Sequence, residues 1–313
     1  MITAVVDTPR TPPRPVDVTA LLPELAGYAR FTTRLHPRRG VPTCRQSSIG
    51  GPMLWPENEP WPTCVNPWQF WDITVSGSEP DDYHPHSVPN PLVPVLQLFA
   101  DDAPTIQFPH GTDLLQVLWC PVDHIHVPGQ EEVYGPAVTV IWRNSADLPD
   151  RAIDPPAPAD FEKLLIAVPC VLHPEEVLEY PLDLPEDLWK RLYSLEEANW
   201  NDPEECSADV NPLSYQCDLS VAPGSKVGGW ARWHASDPYP MPCASCGQHL
   251  DLLASFGTYE RDAGNGHWNA NDLAATDSGY GSVTGMILGR GGDLQIFYCT
   301  RNPGHPIHVL VQG

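Results

Sequence analysis

The sequence predicts a mostly β (α+β) fold, built as two tandem repeats of a β-rich unit with few short helices. Three observations lead there. The first is an internal repeat. Ile49-Gly-Gly-Pro-Met-Leu-Trp55-Pro-Glu-Asn-Glu-Pro60-Trp61-Pro62-Thr-Cys64 returns as Val227-Gly-Gly-Trp230-Ala-Arg-Trp233-His-Ala-Ser-Asp-Pro238-Tyr239-Pro240-Met-Pro-Cys243. A constant shift of 178 positions aligns the glycine pairs, Trp55 with Trp233, Pro60 with Pro238, Trp61 with Tyr239 and Pro62 with Pro240. The second is a matching block further on: Leu115-Gln-Val-Leu-Trp-Cys120 and Leu294-Gln-Ile-Phe-Tyr-Cys299 each begin 51 positions after the cysteine that closes the first block. Self-similarity of this kind marks copies of one supersecondary unit. The third is proline, 38 of 313 residues. That is more than twice the usual ~5%, which disfavours long helices and central strands and favours turns and edges.

The elements follow in order. Residues 1–45 read as an N-terminal extension with a helix over about residues 17–29, Asp17 being its N-cap. Residues 46–143 form the first β-rich repeat, 144–210 an acidic connecting segment, and 211–313 the second repeat. The glycine pairs fit a tight turn or a close backbone approach. Residues 115–120, 138–142, 294–299 and 307–311 are short apolar runs rich in β-branched and aromatic residues, as buried strands are. Residues 250–256 fit a strand or a short helix. In the connecting segment a helix follows Pro185, with Leu188, Leu192 and Leu195 on one face.

Charge is uneven. The net charge is −23, yet residues 1–45 carry seven of the 17 basic residues against three acids. The segment 144–210 has 17 acids and four bases. This field repels nucleic-acid phosphates and anionic lipid and attracts a basic protein. No signal peptide is evident at the start, and no apolar run approaches the ~20 residues of a membrane span, so a cytoplasmic location is expected. Nine cysteines in such a chain read as thiols or metal ligands rather than a disulfide framework.

Cys243-Ala-Ser-Cys246 is the sharpest local signal, because two thiolates at this spacing in a tight turn reach one tetrahedral ion. Cys299 closes the second-block strand, and His305 follows across the Asn302-Pro-Gly304 turn, with His308 as the alternative fourth ligand. The expected cofactor is a structural zinc ion. In the first repeat Cys64, Cys120 and His126 hold the corresponding places without a fourth partner, which reads as a degenerate second site; His110 and His124 lie nearby, and His84 and His86 read as loop residues. Trp55, Trp61, Trp68, Trp71, Trp230 and Trp233 cluster around the glycine pairs. They either line a groove for a ligand, with Trp55, Trp61, Trp230 and Trp233 as the candidates, or pack each unit against its sheet, the reading favoured here. No nucleophile elbow, His-Glu-x-x-His or phosphate loop is present.

Arg34-Leu-His-Pro37, Gly50-Gly51, Trp61-Pro62, Gln97 and the stretch from Asp113 to Gln116 resemble the pattern of the YwqG-like family, a bacterial domain of unknown function. Val227-Gly-Gly-Trp230, Pro242-Cys243-Ala-Ser-Cys246-Gly247 and Gly292-Asp293-Leu-Gln-Ile-Phe-Tyr-Cys299 resemble the programmed cell death protein 2 family. The matches touch most of the chain from about residue 34 onward. The first resemblance implies a duplicated β-rich fold without a settled activity. The second implies an acidic cytoplasmic partner of a basic ribosomal protein, although this chain lacks the separate zinc-finger insertion of many such relatives. The functional expectation is a non-catalytic, acidic protein-binding module carrying a structural zinc. The alternatives are an enzyme or small-ligand protein with a cleft between the repeats, and an immunity- or antitoxin-like protein.

Overall fold

The computed structural model describes residues 8–66, 68–69, 83–84, 86, 88–124, 127, 130, 134–199, 213–261, 265–273 and 281–313. The chain is mostly β. Two six-stranded antiparallel sheets dominate, formed by β1 (Arg30–Arg34), β2 (Arg38–Arg39), β3 (Ser48–Ile49), β4 (Val93–Phe99), β5 (Leu114–His124), β6 (Gly135–Arg143), β7 (Cys170–Val171), β8 (Glu175–Glu179), β9 (Lys226–Gly228), β10 (Asp251–Gly257), β11 (Asp293–Tyr298) and β12 (His308–Gln312). One sheet runs β6-β5-β4-β3-β7-β2 and the other β12-β11-β10-β9-β1-β8. Read side by side, the orders correspond place for place. The first four strands of each sheet come from the predicted repeats. The last two are exchanged: residues 30–39 supply the fifth strand of one sheet and the sixth of the other, and residues 170–179 do the converse. The segment expected as an extension thus supplies an internal strand of the second repeat's sheet.

The sheets pack face to face over one apolar core. Leu115, Val117 and Trp119 of β5 meet Leu294, Ile296 and Tyr298 of β11 and Phe256 of β10, all buried. Trp119 stands edge-on to Phe256 at 5.7 Å between ring centroids, and its indole N–H donates to the Leu165 carbonyl at 2.7 Å. The space between the two sheets is filled with apolar side chains.

The other faces of β5 and β11 are buried too. Leu118, Cys120 and Val122 turn toward Trp55, Met53 and Cys64; Phe297 and Cys299 turn toward Trp233, Met241 and Cys243. Each strand carries one buried glutamine on this face. Gln116 Nε2 donates to the Leu54 carbonyl at 2.7 Å, and Gln295 Nε2 donates to the Arg232 carbonyl at 2.7 Å. Leu54 and Arg232 are separated by the repeat shift of 178. An amide inside an apolar run is costly to bury unless bonded, and here it ties each tryptophan-rich block to its strand in the same way.

The glycine pairs make close backbone approaches. Gly229 has φ +71°, and a Cβ there would lie 2.3 Å from Glu179 Oε2. Gly229→Ala is expected to cost more than the about 1–3 kcal/mol of a non-glycine left-handed residue alone. Gly111 has φ +82° with open space around it, so Gly111→Ala is the control that carries only the backbone cost. Chemical denaturation of the two variants checks this difference.

The helices differ from expectation at one place. Asp17 does cap a helix, its carboxylate accepting from the Thr19 and Ala20 N–H groups, but α1 (Val18–Leu21) is four residues long. Pro23 then starts a 3-10 turn, Pro23–Tyr28, because proline lacks the N–H and its ring clashes with the preceding turn. The second helix, α2 (Glu186–Asn199), follows Pro185, with Leu188 and Leu192 buried against Val18, Leu25, Tyr215 and Leu219.

Candidate metal centres

Among the described residues, two groups of four cysteine and histidine side chains converge, the donor atoms of each lying within 4.8 Å of one another. Either could hold a metal ion.

The first group is Cys243, Cys246, Cys299 and His305. The knuckle that presents the cysteine pair is a closed turn. Gly247 N–H donates to the Cys243 carbonyl at 2.8 Å, and Cys243 N–H donates to the Gln248 carbonyl at 2.7 Å. Gly247 sits at φ +70°, where a Cβ would be strained. Opposite, Cys299 leaves the end of β11, and the chain reverses through Asn302 N–H to the Cys299 carbonyl and His305 N–H to the Asn302 carbonyl. Cys243 Sγ lies 3.3 Å from His305 Nδ1, and Cys246 Sγ lies 3.6 Å from Cys299 Sγ. His308, the alternative ligand, belongs instead to β12. It stands across from Phe297, with Nε2 3.5 Å from the Tyr239 hydroxyl. Desolvation pushes the Cys243 thiol up, but the N–H groups of Ser245 and Cys246, with the Cys246 and His305 side chains, bring it down to about 6.

The second group is Cys64, His86, Cys120 and His124. The structure brings Cys64 and Cys120 together as their repeat positions suggested. His126 lies outside the described residues. His86, read as a loop residue, is instead a member, and so is His124. Cys120, Val122 and His124 alternate along β5, so both donors leave the strand on one face. Cys64 Sγ is 3.8 Å from His124 Nε2, and Cys120 Sγ is 3.6 Å from His86 Nε2. The Cys120 thiol chiefly draws the Cys64 pKa down to about 4, against the cost of desolvation. Cys64, with burial, pushes Cys120 up in turn.

Trp55, Trp61 and Trp233 pack beside these groups. Trp55 and Trp61 lie 4.7 Å apart, their indole N–H groups donating to the Glu59 and Leu92 carbonyls. Trp233 packs on Tyr239 and Phe297. Trp230 donates to the Tyr28 carbonyl beneath the Arg30 guanidinium, 3.8 Å from its ring. Trp230 and Trp233 do line a cleft, of only about 130 Å³. Trp71 lies outside the described residues, as does the side chain of Trp68.

No protein-family model matches the chain, and the comparison with curated proteins finds no match. The family resemblances therefore rest on the motifs alone. Among the described residues no helix is long and apolar enough to cross a membrane.

Proposed function

We propose that the chain is a non-catalytic, cytoplasmic binding protein. Its acidic body engages a basic protein, and its second repeat is held in shape by a structural zinc ion at Cys243, Cys246, Cys299 and His305. The observation that carries the binding half is the fate of the N-terminal arginines. Each is already engaged inside the molecule. Arg10 pairs with Glu175, Arg30 with Asp251, Arg38 with Asp272 and Arg45 with Asp150. Arg14 donates to the Leu178 carbonyl, Arg34 to those of Trp268 and Pro223, and Arg39 to those of Val283 and Ser282. The arginines of the densest basic segment are thus paired within the chain, and acids such as Asp183, Glu186 and Asp187 around α2 stay exposed. Complementary charge steers a basic partner and gives salt-dependent association.

Zinc is assigned from donor chemistry. Zn–S bonds of ~2.3 Å and Zn–N bonds of ~2.0–2.1 Å at tetrahedral angles place the donors about 3.4–3.8 Å apart. The Cys246–Cys299 sulfur separation of 3.6 Å lies in that range, and the Cys243–His305 separation of 3.3 Å falls just short of it. Three thiolates and one imidazole fill the tetrahedron, the arrangement of structural zinc sites, and leave no position for a catalytic water.

The binding reading is tested by incubating the immobilised chain with native lysate at low salt and identifying what it retains. Basic proteins released as salt rises are expected, with weaker retention by an Asp183→Lys/Asp187→Lys variant. Retention of no basic protein above background, or retention indifferent to both salt and charge reversal, would contradict it.

A further inference from the structure

We infer that the first repeat holds a second, intact metal site, with Cys64, His86, Cys120 and His124 binding a zinc-class divalent ion and Asp160 fixing one of the histidines. A pair of buried thiols left over from a decayed site would need no further organisation. Here the organisation is complete. The donor separations of 3.8 and 3.6 Å fall within the about 3.4–3.8 Å edges of a tetrahedral thiolate–imidazole zinc site. The sequence has Pro67 three positions after Cys64 where the second repeat has Cys246 three after Cys243, and the fourth donor of the first-repeat group is His86, from a distant part of the chain.

The outer hydrogen bonds carry the argument furthest. His86 Nδ1 lies 2.7 Å from Asp160 Oδ2, and the His86 side chain is 2% exposed. A carboxylate at that distance accepts a hydrogen bond from Nδ1–H, which leaves the Nε2 lone pair facing Cys120 and the ion. Metal-bound histidines are oriented in this way, and the carboxylate raises their basicity. Asp160 is itself held. Its N–H and that of Ala159 donate to Asn90 Oδ1, at 3.1 and 2.8 Å. Asn90 Nδ2 donates to the Asp160 carbonyl at 2.8 Å and lies 3.4 Å from Cys120 Sγ. One fully buried asparagine therefore locks the carboxylate loop and solvates a ligand sulfur. Asn90 also pairs directly across from Cys64 in a short two-stranded ladder.

The assignment concerns a closed site of two thiolates and two imidazoles. Its role is to join residues 63–64, residue 86 and the end of β5. It stands independently of the binding reading and of the site in the second repeat.

Native mass spectrometry with elemental analysis of the whole chain tests it. Two zinc ions per chain are expected, falling to one in Cys64→Ser. Should Cys64→Ser fail to fold, Asp160→Ala serves, since it removes no ligand. It is expected to weaken one of the two ions about 10–100-fold in chelator competition and leave the other unchanged. Cobalt substitution gives a second readout: in Cys243→Ser/Cys246→Ser the remaining ion should show the weaker thiolate charge-transfer band of a two-sulfur set. A single zinc in the wild-type chain, lost with Cys243 and Cys246, overturns the inference. So does a second ion whose affinity neither Cys64→Ser nor Asp160→Ala alters.

Discussion

Replacing Cys243 and Cys246 with serine is expected to release one zinc ion per chain and to lower the melting temperature by about 6 °C when free zinc is about 1,000-fold above its dissociation constant. Binding at that excess stabilises the folded state by about 4 kcal/mol, and an unfolding entropy of about 2 cal/mol/K per residue makes each kcal/mol worth about 1.5 °C in a chain of 313 residues. The chain should still fold without the ion, because its large core, which joins both sheets, lies away from the knuckle. Local structure should suffer instead. Hydrogen exchange at Gly247, Asn302 and His305, whose N–H groups close the two ligand turns, should rise with little change in β4 or β5. Calorimetry and exchange on the wild-type and double variant check both parts. An unchanged melting temperature with zinc retained would exclude these ligands.

The second large effect concerns the buried ion pair under the second glycine pair. Lys226 Nζ donates to Glu179 Oε1 at 2.6 Å, and both side chains are at most 1% exposed. Glu179 also accepts from the Ala222 and Trp230 N–H groups, and Lys226 donates to the Trp230 carbonyl. Burial lowers the lysine's pKa, and the carboxylate raises it against that loss. Removing one partner strands the other charge in the interior, which costs about 3–5 kcal/mol. Lys226→Met is expected to fall in that range by urea denaturation, and so is Glu179→Gln, which leaves the ammonium without its counter-charge and keeps only one acceptor oxygen for the Ala222 and Trp230 N–H groups. The double variant Lys226→Met/Glu179→Gln should recover part of the loss. A Lys226→Met cost below about 1 kcal/mol would mean that the pair is dispensable. The pair joins β8, from the exchanged segment, to β9 of the second repeat, so it couples the two halves.

What could be read from residues alone follows from how each element is stabilised. The strands over residues 115–120 and 294–299 were legible because both faces are buried and mostly apolar, and matching sequence blocks lie at equal spacing before them. The exchanged strands were not. β1 reads Arg-Phe-Thr-Thr-Arg, and it buries Thr32, Thr33 and Arg34 while Phe31 stands 58% exposed. Hydrogen bonds, not apolar burial, hold it: Thr32 donates to the Val227 and Gly228 carbonyls, and Arg34 to those of Trp268 and Pro223. Hydropathy runs against such a strand. β7 is two residues long and follows Pro169, too short to show a period.

The same distinction separates the two metal groups. Cys243 and Cys246 sit in one knuckle, so their spacing in sequence is their spacing in space. The first-repeat group assembles from residues 64, 86, 120 and 124, and strict transfer of the repeat pointed to His126. The usable signal was the period of two along β5, which puts His124 on the Cys120 face. His86 has no local signal, because only the fold brings it to Cys120 and Asp160.

X-ray diffraction recorded just above and just below the zinc absorption edge on crystals of the native chain would locate the ions directly. Anomalous peaks about 2.3 Å from the sulfurs of Cys243, Cys246 and Cys299, and again from those of Cys64 and Cys120, are expected. A map without density between the Cys243–Cys246 knuckle and Cys299 would contradict the view that this fold is pinned by metal.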